Sequence, residues 1–384
     1  MLSLLRRRAT WATLTLLLAF LLTPAATGYA ADSSHQGNDC DDDRPASCAI
    51  GAVYALTNAT SGNAVLAYRR AADGGLTPAG SFPTGGNGTG ASLGSQGAVV
   101  VSDDHQFLFA VNAGSSSLTS FRIRPDGLDR VSVIPSGGTA PTSLAQHDNL
   151  LYVLNTGTPN NVTGFTVSRN GTLRQIANST RPLSAASTSP AQVGFDANGE
   201  ALIVTERATN QLSTYRVRND GRLTDFQVVP SSGPTPYGFA VSKQNTLLVS
   251  EAGAGGGASS YQIGDNGHLT PASSMLMTGQ RAACWTVITP NGRYGYVVNA
   301  GTGNISGFAL GRRGTASLLN SNGVTASTGG NPTDAALSQN GHFLYVRIAS
   351  TNTIAIFAIG ADGSLTALPG LTGTPGGLAG LAAY

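Results

Sequence analysis

The chain has 384 residues, of which 11% are charged and 50 are glycine, with a formal net charge of +2. So small a charge excludes electrostatic attachment to nucleic acid. Apolar residues arrive in runs of four to six with no stretch of 3.6-residue periodicity, which excludes a helical fold and points to strands and turns.

The first segment is a targeting signal. Arg6, Arg7 and Arg8 precede the apolar run WATLTLLLAFLL (11–22) and the small residues of TPAATGYAAD. That run is too short to span a bilayer comfortably. Residues 1–30 are therefore expected to be a secretory signal, cut near Ala30 or Ala31, leaving a secreted or cell-envelope protein with no stable membrane insertion. Residues 31–50 read as a flexible acidic linker. Within it Cys40 and Cys48 bracket CDDDRPASC, and in an oxidising compartment a disulfide between them is expected. The cluster Asp39, Asp41, Asp42, Asp43 lacks the spaced ligands and glycine of a calcium loop, so no bound metal is expected. Cys284, in AACWTVIT, reads as a buried free thiol.

From residue 51 to 384 one unit recurs seven times. Each copy carries an aromatic strand, marked by Tyr68, Phe121, Phe165, Tyr215, Tyr261, Phe308 and Phe357, at intervals of 44 to 53 residues. A turn dipeptide follows each aromatic: Asp73-Gly74, Asp126-Gly127, Asn170-Gly171, Asp220-Gly221, Asn266-Gly267, Arg313-Gly314 and Asp362-Gly363. Tight hairpins need central residues with φ > 0, which these dipeptides supply. Two more strands precede the hairpin, as in PTDAALSQNGHFLYVRI (332–348), so each unit has four strands. Four strands in about 45 residues is the pattern of a propeller blade. The expected fold is all-β, a seven-bladed β-propeller. The first copy opens at AVYALTN (52–58) without an inner strand, and the chain ends on a spare one, GGLAGLAAY (376–384). The C-terminal strand is thus expected to complete the first blade and close the ring.

The units resemble the lactonase-type seven-bladed propellers, the group that includes 6-phosphogluconolactonase and the carboxymuconate-lactonising enzyme. The resemblance rests on NGRYGYVVNAG (291–301), NGHFLYV (340–346) and the aromatic strand followed by D-G-x-L. YVLNTG (152–157) and YVVNAG (296–301) also resemble YVTN surface repeats.

In such a ring, the starts of inner strands and the ends of second strands meet at one mouth of the central channel. Second strands end in Asn58, Asn112, Asn155 and Asn299, but in Glu206 and Glu251 in blades four and five. Arg207 follows Glu206. Inner strands open near Tyr237, Arg281, Trp285 and Asp334, and Arg347 lies one residue before the seventh blade's equivalent position. Arginines there suit a substrate carboxylate and a carboxylate suits proton transfer. Glu206 and Arg281 are the expected catalytic pair, with Arg207, Tyr237, Glu251, Trp285, Asp334 and Arg347 binding substrate. The resemblance implies the same for Glu206, since lactonase-type propellers carry a glutamate at this position in an N-E-L phrase, here T-E-R (205–207). Their inner-strand histidines are replaced by Pro141-Thr142-Ser143 and Pro190-Ala191-Gln192. No H-E-x-x-H or Walker pattern occurs, and no cofactor is expected. The resulting expectation is an exported, monomeric, lactonase-like propeller that hydrolyses or binds a small anionic lactone or sugar acid. The alternative is a non-enzymatic secreted propeller acting as a binding or scaffold protein.

Overall fold

The computed structural model describes residues 49–384. The signal segment and the Cys40–Cys48 pair lie outside the described residues. Seven antiparallel sheets form, six of them following the chain from an inner strand outwards and the first taking its inner strand from the C-terminus. The inner strands are Val99–Val101, Pro141–His147, Pro190–Phe195, Pro236–Val241, Ala283–Ile288, Pro332–Leu337 and Ala379–Ala383. Each packs on the next, and the last returns to the first. The fold is the expected seven-bladed propeller. Four inner strands begin with proline, which is tolerated there because the first residue of a strand need not donate to the ladder.

Closure is as expected. Ala379–Ala383 pairs antiparallel with Ala49–Leu56, matching Val53 with Ala383 and Ala55 with Leu381. The Arg70 guanidinium fastens the end by donating from Nε to the Tyr384 carbonyl at 3.1 Å. Blades three and six depart from the plain four-strand pattern. Their outer strands break into two short pieces, Leu173–Gln175 with Arg181–Pro182 and Ala316–Leu318 with Ala326–Ser327. An outermost strand has only one neighbour, so an insertion there interrupts no second ladder.

Second strands are buried along their whole length, as in Phe107–Asn112, Ala201–Glu206 and Phe343–Ile348. They are covered on both faces by neighbouring blades, which is why they read as unbroken apolar runs. All seven hairpin glycines have positive φ, from 72° at Gly221 to 153° at Gly127. Several also have a packing role. A Cβ on Gly74 would fall 2.5 Å from the Phe343 ring of the preceding blade, and one on Gly363 2.6 Å from Tyr294. Into the same contacts the preceding blade donates a hydrogen bond: Tyr345 Oη to the Gly74 carbonyl at 3.0 Å, Tyr296 Oη to that of Gly363 at 2.9 Å, and Tyr152 Oη to that of Gly221. Each of these glycines therefore shapes its own hairpin and docks it on the previous blade.

Removing residues 376–384 would bare the edge of Ala49–Leu56, strip a packing neighbour from Val99–Val101 and take away buried Leu378 and Leu381. The truncated protein is expected to melt at least about 10 °C lower or to aggregate. An unchanged melting temperature in a calorimetric scan would rule out this closure.

Candidate functional site

The ends of the second strands do not open into the channel. Asn112 is fully buried and donates from Nδ2 to Ser117 Oγ and Thr119 Oγ1 on its own third strand. Asn299 does the same to Asn304 and Ser306. The connector entering each blade lies close by, so that a Cβ on Gly86 would strike Asn112 and one on Gly138 would strike Asn155. Glu206 and Glu251 occupy this same clasp. Glu206 is fully buried and accepts from Ser184 N at 3.2 Å, Thr209 Oγ1 at 3.0 Å and the hydroxyls of Ser184 and Ser213. Four donors satisfy the carboxylate completely. Glu251 takes Ser231 and Ser259, both at 2.6 Å and both on Oε1, while Oε2 has no partner. Burial pushes its carboxyl up to about 7, against the lowering effect of the Ser231 and Ser259 hydrogen bonds.

The mouth itself is shaped by a segment that sequence reasoning missed. The connector from blade one to blade two runs across the channel through Ser92–Gly97. Ser95 Oγ donates to the Thr142 carbonyl at 2.7 Å, and Trp285 Nε1 donates to the Ser95 carbonyl at 3.1 Å. Gln96 reaches the inner strand of blade six. Its Nε2 donates to the Thr286 carbonyl at 2.8 Å and its Oε1 accepts from Thr286 N at 3.0 Å, while its own carbonyl accepts from Ser143 Oγ at 2.6 Å. Gly238 must be glycine here, because a Cβ would lie 2.6 Å from Gln96 Oε1 and 2.4 Å from the Cys284 carbonyl.

Beside this crossing segment lies a cavity of about 430 Å³, lined among others by Ser92, Ser95, Trp285, Asn331, Thr333 and Arg347 and by the closing strand at Gly377–Gly380. The Arg347 side chain is 4% exposed, and its Nη1 donates to Thr333 Oγ1 at 2.5 Å. Asp334 is its cross-strand partner and is buried behind it. Burial pushes the Asp334 carboxyl up to about 8, against the lowering pull of the Ala335 amide and Arg347.

The remaining expected residues lie apart from that pair. Arg207 stacks on the Tyr237 ring at 4.8 Å and donates to the Ser189 carbonyl at 2.9 Å. Both stand against Gly94 of the crossing segment, and Tyr237 packs on Trp285 at 5.6 Å. Arg281 is exposed and donates to the Gly301 carbonyl at 3.2 Å. Glu206 and Arg281 are thus not brought together, and Glu206 and Glu251 sit in the blade clasps rather than on the wall of the mouth cavity. Arg347, Asp334 and Trp285 do converge, with Tyr237 and Arg207 adjoining. Cys284 is a buried free thiol whose pKa burial pushes up to about 12. Among the described residues no cluster of three or more His, Cys, Asp or Glu is placed to hold a metal ion.

The opposite mouth has a different chemistry. A cavity of about 620 Å³ there is lined by Gln96, Asp103, His105, His147, Gln192 and Asp196 among others. His147 Nδ1 lies 3.6 Å from Asp103 Oδ2, and His105 stacks on Tyr384 at 5.0 Å.

Seven sheets in a closed ring, each packed on the next, define a seven-bladed β-propeller. The family model described as lactonase, 7-bladed β-propeller, matches residues 49–182, 146–284 and 250–375, and the chain belongs to that family. Three solved structures illustrate the likeness. A candidate 6-phosphogluconolactonase from Bacteroides uniformis superposes with a TM-score of 0.71 at 17% identity, covering 87% of this chain and 99% of that one. The periplasmic gluconolactonase of Pseudomonas aeruginosa gives 0.69 at 19% identity, covering 86% and 99%. A protein from Lactobacillus plantarum gives 0.71 at 17% identity, covering 87% and 99%. At these identities the likeness establishes the fold. No curated protein sequence matches the chain.

Glu251 provides a test of the clasp. Its folded pKa, about 7, lies above the ordinary 4.5, so the native state holds more protons between those values. Stability therefore falls as pH rises from about 4.5 to about 7, by up to about 3 kcal/mol, and levels off above. Replacing Glu251→Gln is expected to remove this share, so the melting temperature of the variant should fall less than that of the wild type across the window. Parallel curves would show that folding does not raise the pKa of Glu251.

Proposed function

We propose that the protein is an exported lactonase-like propeller that hydrolyses or binds a small anionic lactone or sugar acid at the mouth bearing Arg347. The observation that carries this reading is a buried, permanently charged guanidinium on the wall of a 430 Å³ cavity, in a member of the lactonase family. Trp285 offers an apolar wall, and Asn331, Thr333 and Ser92 offer hydroxyl and amide groups suited to a polyhydroxy ligand. During hydrolysis, Arg347 would stabilise the oxyanion that forms when water adds to the lactone carbonyl. Export is supported by the arginine-led apolar segment at residues 6–22 and by the periplasmic location named for the Pseudomonas aeruginosa relative.

One observation favours binding without turnover. Among the described residues no histidine or carboxylate lines this cavity, while His105 and His147 line the opposite one. A water attacking the lactone would then lack a general base at the mouth.

The discriminating measurement is acid release by purified protein, followed by pH-stat on glucono-δ-lactone and 6-phosphogluconolactone. Hydrolysis above background is expected, with an Arg347→Gln variant slower by about 10- to 100-fold, the loss of one charge-assisted contact. No release from any lactone would leave the binding or scaffold reading.

A further inference from the structure

We infer that Lys243, Arg293, Arg312 and Arg313 form a docking rim for a linear anionic polysaccharide, at the end of the ring away from Arg347. None of the four lines either cavity, and the rim stands whether or not a lactone is turned over.

The four residues come from three turns that touch. In an antiparallel blade the turns after the first and third strands emerge at the same end. The blade-five turn around Lys243 packs against that of blade six, where a Cβ on Gly292 would lie 2.4 Å from Gln244 Oε1. Arg293 follows that glycine. Its carbonyl accepts from Leu310 N at 2.8 Å, at the foot of the hairpin that carries Arg312 and Arg313. That hairpin leans back on blade five, so that a Cβ on Gly314 would lie 3.4 Å from Gln262 Oε1. Gln262 Nε2 in turn donates to the Gln244 carbonyl at 2.9 Å. All four cationic side chains are exposed.

Three observations set this rim apart. The chain has 20 acidic residues but none between Asp265 and Asp334, the stretch that holds all three of these arginines. Among the described residues none of the four cations is in an ion pair. The exposed Arg124, Arg216, Arg218 and Arg222, on blades two and four, each have an aspartate 2.8 to 3.9 Å away. Asp362 of the neighbouring blade is taken up by Ser364, whose amide and hydroxyl donate to it at 3.0 and 2.6 Å. Finally, Arg313 is held at φ 58° and ψ 30°. The matching residue of blade five, Asn266, takes φ 59° and ψ 21°. Asparagine tolerates this left-handed region and arginine seldom adopts it. Blade five thus carries Asp265-Asn266 where blade six carries Arg312-Arg313, with the charge inverted and the backbone less at ease. Strain kept at an exposed turn points to use of the side chain.

The chemistry of the partner follows from what surrounds the rim. The same turns carry acids on the other blades, among them Asp73, Asp104, Asp126, Asp148, Asp220 and Asp362. A flat anionic bilayer laid on this end would meet those charges too. The large exposed apolar side chains are Ile50, Val133, Phe226, Val228 and Met277, none of them on the three turns, so a protein partner would find no apolar anchor. A polyhydroxy chain with spaced negative groups needs neither a plane nor an anchor, and guanidiniums pair with such groups through two parallel hydrogen bonds.

The test titrates the whole protein with dextran sulfate in a calorimeter at low salt, beside neutral dextran, poly-L-glutamate and phosphatidylglycerol vesicles. Dextran sulfate is expected to bind, more weakly as salt rises, and neutral dextran not to bind. No binding of dextran sulfate would overturn the rim, and tighter or equal binding of poly-L-glutamate or vesicles would overturn the choice of a polysaccharide. Arg313→Asn restores the residue of blade five. It is expected to melt no lower than the wild type while binding about fivefold more weakly, the loss of one charge-assisted contact. A lower melting temperature would mark Arg313 as structural, and unchanged affinity would take it out of the rim; either result overturns the proposal. Adding Arg293→Gln and Arg312→Gln is expected to abolish binding. Arg124→Gln removes one charge from the paired arginine of blade two and is expected to leave binding as it was. A loss equal to that of Arg313→Asn would reduce the effect to net charge and sink the rim.

Discussion

Every blade of this protein is a sheet with two apolar faces, and neither face is covered until the neighbouring blades are in place. That constraint makes ring closure the interaction on which the rest depends. The pairing of Ala379–Ala383 with Ala49–Leu56 converts seven mutually dependent sheets into a structure without a bare inner edge. The hairpin glycines carry the constraint from blade to blade. Their missing side chains admit the ring of Phe343 or Tyr294, and their carbonyls receive a tyrosine hydroxyl from the blade before. Stability in such an array is shared between units and interfaces rather than stored in one core.

Against this background the polar interior separates into two kinds. At the clasps, buried asparagines and glutamates bond to their own third strands and to the connectors beside them; Glu206 is fully satisfied, while Asn155, Glu251 and Asn299 each keep one buried oxygen without a partner. At the mouth, Arg347 and Asp334 likewise leave buried atoms unpaired. Buried polar groups in native proteins are seldom left so, and where they are, an explanation is owed. The mouth cavity also receives the chain segment that leads into the closing strand.

Much of the fold was legible in the sequence because its signals are local. Asp-Gly and Asn-Gly turns, one aromatic per third strand and a spare strand at the C-terminus each act within a few residues or repeat at a fixed interval. The candidate site was less legible, for two physical reasons. The rim position of Glu206 was read from strand order alone, but the direction of a side chain at a strand end depends on what packs beside it. Here that is Ser184 and Ser213. A signal did exist: Thr119, Ser213 and Ser306 each stand seven residues after their clasp residue, and Ser259 eight, marking a hydroxyl partner in every case. The second reason is that the mouth is shaped by a connector whose partners are remote in the chain. Gln96 and Thr286 are 190 positions apart, and no local pattern announces their bond.

That bond also determines what kind of object the ring is. With Gln96 tied to Thr286 and its backbone tied to Ser143, the crossing segment lies between the two cavities, with Ser92–Ser95 on one and Gln96–Gly97 on the other, and their linings have no residue in common. A solute held on the arginine side is therefore lined by other residues than the imidazoles of the far side. The propeller behaves as two cups set base to base, and each cup is free to change its lining without disturbing the contents of the other.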